Sequence, residues 1–101
     1  MNRLYFAVLD TVDLGHQILS VAHGTLMAHL RFSGNPEYDD WLKNSFRKCV
    51  CRVNAKEFAR LRELDDIVIV TEMALDHQEI AIVICPRKEY PNVVKYMKLF
   101  S

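Results

Sequence analysis

Two stretches decide the fold: Asp66-Ile67-Val68-Ile69-Val70-Thr71-Glu72 and, six residues later, Gln78-Glu79-Ile80-Ala81-Ile82-Val83-Ile84-Cys85. Each is a nearly unbroken β-branched or aliphatic run of strand length. Runs of that kind suit strands buried on both faces rather than helices. The short connection 73–77 favours an antiparallel hairpin, and Pro86 closes the second strand. Upstream, Arg3–Leu9 is another apolar run of strand length, read as a strand and not as a signal peptide, because Asp10 interrupts it and no small-residue cleavage site follows. Arg47–Val53 alternates, with Cys49 and Cys51 on one side and Lys48, Val50 and Arg52 on the other.

Helical patterns lie between these strands. Asp13 is placed to cap a helix running from Leu14 to about Phe32, stopped by Ser33-Gly34-Asn35-Pro36. Its apolar residues Leu14, Ile18, Val21, Ala22, Leu26 and Leu30, widened by Leu19 and Met27, predict the face that packs on the sheet. A short helix Glu37–Asn44 is anchored by Trp41 and Leu42. Asn54 caps a helix Ala55–Leu64, and a last helix spans Tyr90–Leu99. The expectation is one α/β domain over residues 1–101. It has three layers and a four-stranded mixed sheet flanked by helices, in the order β-α-α-β-α-β-β-α.

Composition narrows the function classes. The chain has 101 residues, with 13 Lys+Arg against 13 Asp+Glu and half its residues hydrophobic. That is ordinary globular composition, and zero formal charge removes the bulk pull of a strongly basic nucleic-acid binder. No stretch approaches the ~18 apolar residues of a membrane span, so no membrane partner is expected. Three cysteines, Cys49, Cys51 and Cys85, read as free thiols of a cytoplasmic protein, and they lack the further ligands of a zinc site. No cofactor and no metal are expected.

The order of these segments resembles the type-2 peptidyl-tRNA hydrolase family. The likeness is carried by Leu14-Gly15-His16-Gln17-Ile18-Leu19-Ser20-Val21-Ala22-His23-Gly24, by the ungapped run Asp40-Trp41-Leu42 through Val53-Asn54, by Ile80–Pro86, and by Lys98-Leu99-Phe100. The resemblance implies that fold, a tRNA or other RNA partner, and a homodimer. The departures fall on the chemistry. The family's catalytic Lys falls on His16 and its helix Gln on Ser20, and His23 alone is retained. The family's Asp aligns near Thr71 or Glu72. The loop at 73–78 is shortened, and the Thr that opens the last strand is Ile80.

Two candidate groups follow. His16, Ser20 and His23 stand at i, i+4 and i+7 on one helix, and Glu72 and His77 lie at strand ends that face the same crevice in many α/β sheets. These five are the candidate catalytic residues, with imidazole as general base and carboxylate as its orienter. Lys43, Arg47, Lys48 and Arg52 are the candidate RNA-binding residues. The functional expectation is an RNA-binding relative whose family activity is lost or altered. The alternatives are an active hydrolase of peptidyl- or aminoacyl-tRNA esters using His16, and a non-catalytic protein-interaction module.

Overall fold

A computed structural model describes residues 2–100, so the ends of the expected domain, 1 and 101, lie outside the described residues. The sheet contains β1 (Leu4–Leu9), β2 (Lys48–Val53), β3 (Ile67–Glu72), β4 (Gln78–Ile84) and β5 (Lys98–Leu99), in the order β3-β4-β1-β2-β5. The first strand is therefore the central one. It pairs in parallel with β2, from Leu4↔Lys48 to Leu9↔Val53, and antiparallel with β4, with Phe6 opposite Val83. The expected hairpin is present as the antiparallel β3–β4 pair, with a bulge at Val70/Thr71. Ile80 sits at that bulge, fully buried.

The helices are α1 (Leu14–Phe32), α2 (Pro36–Asp40), α3 (Ala55–Leu61) and α4 (Asn92–Lys95). The step from β1 to β2 and the return from β2 to β3 run in opposite directions across the sheet. Right-handed crossovers therefore put α1 on one face and α3 on the other. Asp13 caps α1 through the amide of His16, and Asn54 and Glu57 form a reciprocal capping box on α3.

Five expectations need correction. Among the described residues the sheet has five strands, not four. The helix expected over Tyr90–Leu99 is only the turn Asn92–Lys95, after which Lys98 and Leu99 pair with Arg52 and Cys51. A single turn has little stability of its own, and the open edge of β2 offers those residues ladder hydrogen bonds. The helix expected over Glu37–Asn44 is α2 followed by a π-helical turn, Trp41–Ser45. It ends at Phe46, whose amide donates to the Trp41 carbonyl at 2.7 Å and whose φ is 61°. There Trp41 is buried and its Nε1 donates to the Arg47 carbonyl, while Leu42 is exposed. The helix expected to reach Leu64 ends at Leu61.

The fifth correction concerns α1. It spans the expected residues, and the expected Val21 and Met27 pack half-buried against the core, yet the fully buried residues on the sheet are Gln17, Ser20, Gly24, Ala28 and Phe32. Leu14, Ile18, Leu26 and Leu30 are exposed. Gly24 explains the inversion, because a Cβ there would lie 2.7 Å from Val83 Cγ2 and 3.3 Å from Val70 Cγ2. The helix lies too close to β3 and β4 for large side chains, so the small-residue side faces inward. Among the described residues, no helix is long and apolar enough to cross a membrane.

Candidate functional site

The carboxyl ends of β1, β2 and β3 lie on one edge of the sheet, where open α/β sheets collect ligands. The N-terminus of α1 and the β3–β4 connection reach the same edge, and they bring the candidate catalytic residues into its neighbourhood as separate pairs. His16 Nδ1 lies 2.7 Å from Asp13 Oδ1, and this hydrogen bond holds the Asp13 carboxyl below its ordinary range. His23 Nε2 lies 3.5 Å from Glu72 Oε2, across the gap between α1 and β3. Glu72 also accepts from the Ala74 amide and so caps the 3-10 turn Met73–Leu75.

Ser20 is completely buried and donates to the Gln17 carbonyl at 2.6 Å, so its hydroxyl serves its own helix. His77 is exposed, has a left-handed φ of 62°, and donates its amide to the Glu72 carbonyl. Asp76 beside it is also left-handed, which makes this connection locally strained. His23 and Glu72 are thus the two candidates whose side chains the structure brings within ion-pair distance. Burial pushes the Cys51 and Cys85 thiols up to about 11, so neither is a thiolate nucleophile near neutral pH. Among the described residues, no group of three or more His, Cys, Asp or Glu is placed to hold a metal ion.

The candidate basic residues divide by strand alternation. Phe6, packed toward α1 at Gly24, pairs with Val50, so Lys48, Val50 and Arg52 face the α1 side of the sheet. The helix lies over β1, β3 and β4, and Lys48 and Arg52 remain exposed beside it. Both cations rest on aromatic rings. Lys48 Nζ is 3.2 Å from the Phe46 ring centre and 5.4 Å from that of Trp41, and the Arg52 guanidinium is 4.2 Å from that of Phe100. Partial burial lowers the Lys48 pKa. Lys98 sits opposite Arg52 in the β2–β5 register. Arg47 is exposed just before β2, with its carbonyl bonded to Trp41 and Leu4, and Lys43 is exposed on the π-helical turn.

Two cavities flank this line. One, of about 540 Å³, opens at the carboxyl ends of β1 and β2 and is lined by Asp10, Arg52, Asn54, Glu57, Lys98 and Leu99. Among the described residues, no ion pair joins its two cations to its two carboxylates. The other, of about 480 Å³, is almost wholly apolar and lies between Gln17, Ile18, Val21 and Ala22 of α1 and Val50 and Phe100. Neither cavity is lined by the candidate catalytic residues.

Sequence reasoning missed Phe46, Phe100 and Lys98 as members of this face. The π-helical turn and β5 place them there, and the only local signal was the aromatic residue two positions before Lys48. No protein-family model matches the chain, and no curated protein matches it.

Proposed function

We propose that the chain is an RNA-binding module, related in architecture to the type-2 peptidyl-tRNA hydrolases, in which the family's ester-hydrolysing chemistry is lost or altered. The observation that carries this reading is the pairing of exposed cations with aromatic rings along β2: Lys48 on Phe46 and Arg52 on Phe100, with Lys98 alongside. Cations in a line suit a phosphate backbone, and rings beside them suit unstacked bases, as in single-stranded or looped RNA. The candidate catalytic groups support it from the other side. Ser20 is spent within its helix, His16 is held by Asp13, and the buried Ile80 occupies the position that aligns with a family Thr.

With a formal charge of zero, affinity rests on these few groups. Three or four phosphate contacts give a log–log salt slope of about −2 to −3 for a single strand. The test is fluorescence anisotropy with labelled tRNA and with an unstructured oligoribonucleotide at low and physiological salt. Lys48→Glu and Arg52→Glu are expected to weaken binding about tenfold each or more. Absence of binding at low salt overturns the reading.

A second reading rests on the His23–Glu72 pair, in which a carboxylate orients an imidazole 45% exposed to solvent. It makes the chain a hydrolase of peptidyl- or aminoacyl-tRNA esters with His23, not His16, as general base. Turnover that disappears in both His23→Ala and Glu72→Gln supports this alternative. Turnover that survives both excludes it.

A further inference from the structure

Lys48 and Arg52 stand on either side of Val50 on one face of β2, and Val50 lines the apolar cavity of about 480 Å³. A nucleic-acid backbone held by both cations therefore passes the mouth of that cavity. Phe100 ties the two features together. It lines the cavity, carries the Arg52 guanidinium 4.2 Å from its ring centre, and donates its amide to the Val50 carbonyl at 2.8 Å. The rest of the lining is Gln17, Ile18, Val21 and Ala22 of α1.

Gln17 is out of keeping with those walls, a polar side chain only 6% exposed. Its Nε2 donates to the Val12 carbonyl and lies 3.5 Å from that of Asp10, which fixes the orientation of the amide. Its Oε1 is buried and accepts no hydrogen bond among the described residues. A buried acceptor without a donor is costly, and native structures hold few of them. We propose that the cavity receives one unstacked adenine base of the bound RNA, whose exocyclic amine donates to Gln17 Oε1. The inference rests on the RNA-binding reading and adds base selectivity to it.

The chemistry of the walls selects adenine. The Gln17 amide nitrogen is already committed, and the other lining side chains are aliphatic or aromatic, so the side chains offer one acceptor and no spare donor. Uracil, cytosine and guanine each carry an exocyclic carbonyl oxygen, which burial against such walls leaves without a donor. Adenine has no carbonyl, and its N6 amine is the donor that the acceptor lacks. A volume of about 480 Å³ lies in the ordinary range of small-molecule sites. The Gln17 oxygen is closed over, so the base reaches it as the wall gives way, and Ile18, 63% exposed, is the lining side chain freest to turn aside.

The experiment is fluorescence anisotropy at low salt with a labelled uridine oligomer and three relatives. These carry a single central adenosine, a single cytidine, or a single purine riboside, which is adenosine without its amine. The adenosine oligomer is expected to bind about tenfold more tightly than the other three. Two variants probe the cavity, with circular dichroism checking that each folds. Ala22→Phe fills it from an exposed helix position, and Gln17→Met removes the acceptor. Both are expected to bind all four oligomers alike. Lys48→Glu is expected to weaken all four by a similar factor and keep the adenosine preference, because backbone contacts carry no sequence information.

Four oligomers bound equally by the wild type overturn the inference and leave the RNA-binding reading standing. A purine riboside bound as well as adenosine overturns it too, as does an adenosine preference that survives Ala22→Phe. No binding of any oligomer overturns both.

Discussion

Where α1 meets the sheet it presents Gln17, Ser20, Gly24, Ala28 and Phe32; where it meets water it presents Leu14, Ile18, Ala22, Leu26 and Leu30. Most of the helix's leucines and its isoleucine lie on the side away from the sheet, while Val21 and Met27 pack half-buried against the core. The sheet beneath supplies the explanation, because Val70 and Val83 stand where a large helix side chain would have to go. Burial on this helix is decided by available volume before apolar character. A close-packed interior admits Gly, Ala and Ser where it cannot admit Leu.

This contrast breaks most sharply at Gly24. Gly24→Leu is expected to destabilise the chain by about 3 kcal/mol in urea denaturation, through overpacking against Val83. Gly24→Ala is a finer probe, because a gain of about 1 kcal/mol in helix propensity opposes the steric clash. Combining Gly24→Ala with Val83→Ala is expected to cost less than the sum of the single changes, since the new methyl fills part of the space that Val83 vacates. Additivity would mean that the close approach does not set the helix position.

Ser20 comes next. Ser20→Leu is expected to cost about 2 kcal/mol, while Ser20→Ala stays within about 0.5 kcal/mol of wild type. A large loss in Ser20→Ala would show that polarity, not volume, selects the inner side. On the outer side, Leu30→Ser is expected to change stability by no more than about 0.5 kcal/mol in urea denaturation.

The smallest effect belongs to the cap shared by both sides. The Asp13 carboxyl is held low by His16, so its stabilising contribution is present above the unfolded-state value of 3.8. That contribution is lost as pH falls through the lower folded-state value. The stability difference between wild type and Asp13→Asn is therefore expected to shrink below pH 3.8 in denaturation curves taken across the acid range.

The parts of the fold readable in the sequence are those fixed locally. The β-branched runs at 67–70 and 80–84, the Asp13 and Asn54 caps and the Ser33-Gly34 stop all announce themselves within a few residues. What escaped depends on partners far along the chain. The inner side of α1 is chosen by Val70 and Val83, and β5 exists because β2 has an open edge. The candidate interface divides in the same way. Alternation marks Lys48 and Arg52 as sharing one side of β2, but their aromatic partners arrive through a π-helical turn and a two-residue strand, neither of which has a local signature.

The central place of β1 has a consequence for the order in which the molecule is made. Of the five strands, the first to leave the ribosome is the one that needs partners on both edges, and those partners begin at Lys48 and end at Ile84. A nascent chain synthesised at roughly 5–20 residues per second therefore carries an unpaired apolar strand for several seconds before its second neighbour emerges. During that interval α1, whose backbone hydrogen bonds are local in sequence, can form within about a microsecond and shields nothing until the sheet arrives. The central strand is completed only after Ile84, which pairs with Tyr5, has been synthesised.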